Sequence, residues 1–568
     1  SDTEINSYFV DAMTDVVMQD LIDELGYTET QAYKALYQGG LVIESTQDPA
    51  IQAICDEEVN NLDNYVGDPK VSFAYRVSIQ SPDGTVKHYS EQTMLSYYRS
   101  ADKNFDINYA SQEEADAAIE EYKAEIMNEG DTIVEGSETI TYTVQPQAAM
   151  TVIDQSTGEV KAIVGGRGDK TGNKTLNRAT DTTRQPGSTF KVIASYAPAL
   201  DAGGLTLANV QDDAPYNYTT GEGKAVTNYD KRYRGFTTLR EAITESINIV
   251  TVKTLAEIGP SLGYDYIRNF GITTVGIEES GNETLALGGL TNGVTNLELT
   301  AAYAAIANEG TYIKPKFYTR VLDHDGNVLL DNTSPESHTV LKETTAWLLT
   351  AAYFGNGMAQ AGKTGTTTKS RDVLFAGYTP YYTCVVWGGY DDNDTQSGEN
   401  TSYPKKIWKS VMSRIHEDLP SEDFPKPDGL VTATVCAESG KLAIDGVCTN
   451  DPRGNRAYTE YFAEGTAPTE YCDHHILVNI CAETGALAGP NCPYQTASGV
   501  YVIGGSPTTE DAPYLLSPET AANTCQYHNP GFVYNYTPVP GVTDASTATP
   551  DVPATPPDAA APEGAATP

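Results

Sequence analysis

The sequence predicts an α/β domain in which one sheet collects strands from both ends of a long segment and encloses a helical middle. Three observations carry this. Residues 149–153 and 160–164 are apolar runs split by a Ser156-Thr157-Gly158 turn and closed by Gly165-Gly166, the pattern of a β-hairpin. From about residue 188 to 308 helical periodicity alternates with loops, including a helix at 297–308. After a further helix at 344–354, residues 364–367, 373–378 and 383–387 read as successive strands. The domain so defined covers residues 147–415.

Upstream, residues 8–25 and 28–37 have helical periodicity, the second run ended by Gly39-Gly40. A strand at 41–43 and a helix at 49–62 follow. A hairpin turns at Ser81-Pro82-Asp83-Gly84, and Ser111-Gln112-Glu113-Glu114 opens an acidic helix running to about 128. Nothing in this region collects groups capable of chemistry. Residues 1–146 therefore read as a linker or pedestal with an inserted α+β element. Within the main domain a hairpin at 318–330 turns at Asp325-Gly326.

Downstream of Met412 the composition loosens, and residues 428–527 contain an internal repeat. Val435-Cys436-Ala437-Glu438-Ser439-Gly440 returns as Ile480-Cys481-Ala482-Glu483-Thr484-Gly485, and each copy is followed by a second cysteine, Cys448 or Cys492. Six cysteines crowd this region. The even cluster predicts disulfides, with two small closed loops and Cys472 paired to Cys525, in an oxidising compartment outside the cytoplasm. Cys472-Asp473-His474-His475 lacks the Cys-x-x-Cys spacing of common zinc sites, so no metal and no cofactor is expected. Cys55 and Cys384 stand alone in apolar surroundings and read as buried thiols. Residues 528–568 form a tail rich in Pro, Ala and Thr, expected to be disordered.

The chain of 568 residues has a formal charge of −41, from 77 acidic and 36 basic side chains. That balance excludes nucleic acid as a partner and requires locally placed cations for any anionic ligand. No apolar run reaches the roughly 18 residues of a membrane span, and no signal peptide is visible. The sequence opens at Ser1 rather than Met, which reads as a processed or engineered start.

The chemistry concentrates in three stretches. In Arg184-Gln185-Pro186-Gly187-Ser188-Thr189-Phe190-Lys191 a Pro-Gly turn delivers a serine, with a lysine three residues later at the head of an apolar run. On a helix, Ser188 and Lys191 share a face. A serine hydroxyl needs a base within hydrogen-bond reach, and a lysine supplies one when burial or neighbouring cations lower its pKa. Ser246-Ile247-Asn248 lies inside the helical-looking run that opens at 238–245, and Lys363-Thr364-Gly365-Thr366-Thr367 lies further on. Taken singly, each has a bland reading: a helix cap, polar residues on a helix face, a solvated strand lysine. Together they reproduce an ordered trio, Ser-x-x-Lys, Ser-x-Asn and Lys-Thr-Gly.

Competing motifs fail on context. Residues 357–364 match G-x-x-x-x-G-K-[ST], but helical sequence precedes them and Gly365 with a threonine run follows, where a phosphate loop needs a strand before and a helix after. Arg167-Gly168-Asp169 is a tripeptide in a polar loop. No histidine in the main domain supports a Ser-His-Asp triad, since His324 and His338 sit on or beside a hairpin. No G-x-S-x-G elbow occurs.

On these residues the chain resembles the class A penicillin-binding proteins. Leu285-Ala286-Leu287-Gly288-Gly289, residues 301–310 and Gly377-Tyr378-Thr379-Pro380 add to the likeness. The resemblance implies the fold shared with serine β-lactamases, a central antiparallel sheet flanked by helices. The family's glycosyltransferase domain and membrane anchor are not in this sequence, though the full-length form would be anchored at the outer face of the bacterial membrane.

The resemblance further implies a D,D-transpeptidase that cross-links peptidoglycan stem peptides through an acyl-enzyme and is acylated by β-lactam antibiotics. Ser188 would be the nucleophile and Lys191 its base. Ser246 with Lys363 would relay a proton to the leaving amine, and Asn248 would hold the donor's amide. Lys363, Thr364 and Thr366, on the strand that also carries Gly365 and Thr367, would bind the terminal carboxylate. The N–H groups of Ser188 and Thr366 would form the oxyanion hole. Other cell-wall synthesis proteins are possible partners. The alternatives are a D,D-carboxypeptidase or β-lactamase of the same fold, or a non-catalytic β-lactam sensor or wall-binding scaffold. A class A β-lactamase would need a Glu-x-x-Leu-Asn segment, and none lies between Asn248 and Lys363.

Overall fold

The computed structural model describes residues 4–352, 359–516 and 523–533. Its centre is a five-stranded antiparallel sheet of β1 (Gln147–Asp154), β2 (Glu159–Val164), β3 (Ala361–Thr366), β4 (Asp372–Tyr378) and β5 (Thr383–Gly389), in the order β3-β4-β5-β1-β2. Strands β4 and β5 are buried along their whole length, which explains why they read as unbroken apolar runs rather than alternating ones. One face is covered by the helix Asn296–Ala307. Asn296 ties it to the sheet, accepting from Thr151 Oγ1 at 2.7 Å and donating to the Val385 carbonyl at 3.0 Å. The other face packs against the helices Pro49–Asn60 and Tyr403–Ile415 through Ile51, Cys55, Tyr403, Ile407 and Trp408.

The amino-terminal region differs from the expected pedestal. Its first helix, Tyr8–Leu25, buries Phe9, Val17 and Leu21 in the main core, and the Phe9 ring meets Phe317 at 5.3 Å. Val42–Ser45 pairs with Tyr318–Leu322. Periodicity reveals that a helix has an apolar stripe but not which surface covers it. Only residues 70–145 build a separate core. There Lys70–Gln80 pairs with Val86–Ser90, Thr132–Ile133 and Thr139–Gln145, and the helices Glu91–Arg99 and Gln112–Ile126 bring Met94, Leu95, Ile119 and Tyr122 into one core with Phe73 and Tyr75.

The carboxy-terminal region contains two hairpins, Leu430–Cys436 with Ala457–Ala463 and His475–Cys481 with Gln495–Val502. It is tied to the main domain by Arg240, whose guanidinium meets both oxygens of the buried Glu460 at 2.6 and 2.7 Å. Asp511 accepts from the Phe236 N–H at 2.9 Å. The expected disulfides are absent: none of the eight cysteines forms one. Cys436, Cys448 and Cys472 gather with His475, and Cys481, Cys492 and Cys525 with His528. The reason is local. Each repeat folds its first cysteine into a tight turn, with Cys436 N–H bonded to the Lys441 carbonyl and Cys481 N–H to that of Ala486, both at 2.8 Å. The chain then returns two more sulfurs to the same centre instead of pairing them.

The tail expected from residue 528 lies outside the described residues from 534 onward. Residues 528–533 are described, and His528 belongs to the second cluster. The helix expected at 344–354 is described as Glu343–Ala351, with 353 and 354 outside the described residues. So are residues 357 and 358 of the phosphate-loop look-alike.

Candidate active site

Ser188 sits, partly exposed, in a single 3-10 turn (Gly187–Thr189), and Lys191 one turn later is buried. The run beyond them is not the α-helix that periodicity predicts. Val192–Tyr196 is a π-turn, with Ala197 N–H bonded to the Val192 carbonyl, before a short α-helix at Ala197–Asp201. Pro198 has no N–H to offer the Ala194 carbonyl, so the α-pattern cannot close there.

The serine turn is clamped from three sides. Tyr303 Oη donates to the Thr189 carbonyl at 2.6 Å. Arg184 Nε donates to Asp372 Oδ1 at 2.6 Å, Trp387 Nε1 donates to the same oxygen at 3.0 Å, and the guanidinium lies over the Trp387 ring. Glycine allows the remaining approach. A Cβ at Gly187 (φ +55°) would stand 3.0 Å from the Thr366 carbonyl oxygen, and one at Gly365 would stand 2.8 Å from the Pro186 carbonyl oxygen. The serine turn thus lies directly against the edge strand β3.

Ser246 was expected within a helical run. It ends that run instead, capping the helix Leu239–Glu245 in the left-handed conformation at φ +55° before a new helix begins at Asn248. A non-glycine residue held there is strained, and such strain gathers at functional positions. The break delivers Ser246 to Lys191, whose Nζ donates to the Ser246 carbonyl at 2.8 Å and to Ser246 Oγ at 2.9 Å. Asn248 Nδ2 donates to the Thr227 carbonyl at 2.8 Å, fixing its amide on the opposite wall.

Lys363 is buried on β3, and its Nζ donates to the Thr364 carbonyl at 2.9 Å. Burial lowers its pKa to about 8. Burial, then the nearby Lys363 charge, holds Lys191 well below the ordinary lysine value. Its own burial and the neighbouring Lys363 charge thus both favour the neutral amine of Lys191.

Ser188, Ser246, Asn248, Thr364 and Thr366 line a groove of ≈ 1110 Å³, Lys363 lies on the wall of an adjoining cavity shared with Ser246 and Thr364, and Lys191 is buried against Ser246. Thr364 and Thr366 are exposed, whereas Gly365 is packed beneath the serine turn. Thr367 lines the same groove, but its Oγ1 accepts from the Asp372 N–H at 2.9 Å, so it shapes the turn after β3. Sequence reasoning missed Tyr218, Tyr229, Lys231 and Tyr233 on one rim and Lys369 and Arg371 on the other. The clustering of tyrosine and basic residues at 216–234 was the available signal. The rim cations Lys231, Lys369 and Arg371 give a strongly acidic protein a locally basic cleft.

Residues 148–413 match a family model described as the penicillin-binding protein transpeptidase domain, and residues 426–477 match one for the C-terminal domain of penicillin-binding protein 1A. Among curated relatives, penicillin-binding protein 1A of Clostridium perfringens (strain ATCC 13124) is 34% identical over 492 residues, covering 82% of this chain and 51% of the relative. That of Clostridium botulinum (strain Langeland) is 36% identical over 371 residues, covering 62% and 44%. The chain thus spans about half the length of the curated relatives it matches. Among solved structures, penicillin-binding protein 1A from Haemophilus influenzae superposes with a TM-score of 0.59 at 20% identity, covering 83% of this chain and 78% of that one. The PonA1 protein of Mycobacterium tuberculosis in complex with penicillin V gives 0.52 at 22% identity, covering 74% and 96%. At these identities the two structures speak for the fold alone. No helix among the described residues is long and apolar enough to cross a membrane.

Proposed function

Because residues 148–413 belong to the penicillin-binding protein transpeptidase family, we propose that this chain is a serine D,D-transpeptidase working through an acyl-enzyme on Ser188. The observation that carries the reading is the Lys191 amine. In its neutral form it has two N–H donors and one lone pair. Both donors are engaged by Ser246, through its carbonyl and its Oγ, which leaves the lone pair for the Ser188 proton.

The steps then follow in order. Ser188 Oγ attacks the carbonyl between two terminal D-alanines while its proton passes to Lys191 Nζ. The N–H groups of Ser188 and Thr366 stabilise the oxyanion as the charge develops. The C–N bond breaks, and the leaving nitrogen takes a proton from Ser246 Oγ, which is replenished from Lys191. The terminal carboxylate rests against Thr364, Thr366 and the Lys363 charge, and Asn248 holds the donor amide. An amine from a second stem peptide then attacks the ester and restores Ser188. β-Lactams imitate the donor and stop at the acyl-enzyme. The chemistry belongs at the outer face of the membrane, where the wall is built.

The test is an exchange assay. A stem peptide ending in D-Ala-D-Ala is incubated with a labelled D-amino acid acceptor, and exchange is counted against hydrolysis. Exchange that saturates with acceptor and vanishes in Ser188→Ala supports transpeptidation. Hydrolysis alone makes the chain a carboxypeptidase, and rapid turnover of penicillin makes it a β-lactamase.

A further inference from the structure

The two cysteine–histidine clusters of the carboxy-terminal region lie away from the groove and have no part in the reaction above. We propose that each is a closed structural zinc site: Cys436, Cys448, Cys472 and His475 hold one ion, and Cys481, Cys492, Cys525 and His528 the other. In each set the four candidate ligand atoms lie within 4.8 Å of one another.

The distances fit a tetrahedral ion. Bonds of about 2.3 Å to sulfur and 2.0–2.1 Å to nitrogen at the tetrahedral angle put sulfur and nitrogen roughly 3.6 Å apart. His475 Nδ1 stands 3.4 Å from Cys436 Sγ and 3.5 Å from Cys472 Sγ. His528 Nδ1 stands 3.5 Å from Cys481 Sγ and 3.3 Å from Cys525 Sγ. One imidazole lone pair cannot take two thiol protons, but it can point at an ion that both sulfurs also face. A disulfide would bring two sulfurs to about 2.05 Å and strand the third, and none forms.

The surroundings of the ligands agree. Each histidine offers Nδ1 to the centre and turns Nε2 to a carboxylate, His475 to Asp451 at 2.7 Å and His528 to Glu483 at 3.1 Å. That is how metal-bound imidazoles are oriented. N–H groups point at the sulfurs as they do at thiolates: Glu438 N at Cys436 and Ile444 N at Cys448, at 3.4 and 3.3 Å, and Gly489 N and Asn529 Nδ2 at Cys492, at 3.3 and 3.2 Å.

The two sites are copies of one device. Cys472 N–H bonds the Leu442 carbonyl just as Cys525 N–H bonds that of Leu487, both at 2.8 Å. The third cysteine and the histidine are spaced Cys-x-x-His in each, at Cys472 to His475 and Cys525 to His528. Need and donor set point the same way. The apolar clusters here are small, Ile444 and Val447 around the first site, Ala488 beside the second and a separate group of Ile476, Val478, Leu487, Ile503 and Leu516, so a staple would add much to the stability of the region. Three thiolates and one imidazole, with no position left open, suit zinc in a structural role.

The experiment uses the whole chain, purified under reducing conditions without chelator. Elemental analysis should find about two zinc ions per chain. Six cysteines should resist a thiol reagent after mild denaturation until a chelator is added. Cys448→Ser with Cys472→Ser, and separately Cys492→Ser with Cys525→Ser, should each remove one ion and leave the other. Zinc near zero with all thiols reactive, or disulfide-linked Cys436–Cys448 and Cys481–Cys492 peptides in a non-reducing mass map, overturns the proposal. Iron in place of zinc overturns the identity of the metal. The wild-type measurements stand even where a variant fails to fold.

Discussion

Lys191 decides the chemistry, because it must be a base and yet be surrounded by protein. A buried lysine beside a second lysine favours the neutral form, and the two hydrogen bonds to Ser246 orient its lone pair. Lys191→Met should therefore slow acylation by a β-lactam by about 10²–10⁴-fold, the usual worth of a positioned base. Its melting temperature should fall only modestly, since methionine fills the buried space but leaves the Ser246 carbonyl and Oγ without their donor. Activity against pH should be bell-shaped. The rate rises as Lys191 loses its proton and falls above about pH 8, where Lys363 loses the charge that holds the carboxylate. A profile flat to pH 10 would contradict both roles. Stability runs differently. Both folded pKa values lie below the unfolded lysine value, so between them the unfolded chain binds more protons. The Lys363 contribution to the unfolding free energy should climb as pH rises from about 8 to the ordinary lysine value and be lost as pH falls, and the Lys191 contribution should have the same sign.

Among the elements, the break at Ser246 is the feature with most leverage. Ser246→Gly removes the left-handed strain, worth about 1–2 kcal/mol, and also removes the hydroxyl that Lys191 grips. Thermal melting should show stability kept or slightly raised while acylation collapses; a variant that keeps its acylation rate would remove Ser246 from the relay. Gly187→Ala should do the reverse of relieving strain. Its Cβ meets the Thr366 backbone at 3.0 Å, so the serine turn and β3 must part, lowering stability by more than about 1 kcal/mol together with acylation. Such junctions were poorly legible in the sequence. The hairpins and the long helices could be read because period and turn chemistry act over a few neighbours. The run at 238–245 has no glycine or proline to announce its end, and the π-turn at Val192–Tyr196 is written only in Pro198. The three motifs could be read, but not the glycines that let the serine turn touch β3. Cys472-x-x-His475 and Cys525-x-x-His528 were also visible. The first is weighed as a zinc candidate and set aside for want of Cys-x-x-Cys spacing, its copy goes unremarked, and so the six cysteines read as disulfides.

Across the whole molecule, distant parts hold one short helix in place. Leu239–Glu245 carries Ser246 at its end, and Arg240 on that helix is paired with Glu460 from the carboxy-terminal region. Asp511 grips the strand just before the helix and is itself paired with Arg453, which also meets Asp451. Glu460→Ala leaves Arg240 without its partner. The cost should be on the order of 2 kcal/mol, less than for a sealed pair because Arg240 keeps some exposure, and acylation should slow with it. An unchanged denaturation midpoint and rate would mean the carboxy-terminal region is a passenger. Beneath these couplings lies the claim that three polar stretches, far apart in the chain, meet around one acylatable hydroxyl. Intact-mass analysis after penicillin treatment, followed by peptide mapping, tests it most directly. One adduct per chain should appear on the peptide containing Ser188, persist for many minutes and be missing from Ser188→Ala. An adduct on any other residue, or one that survives the loss of Ser188, would contradict the account.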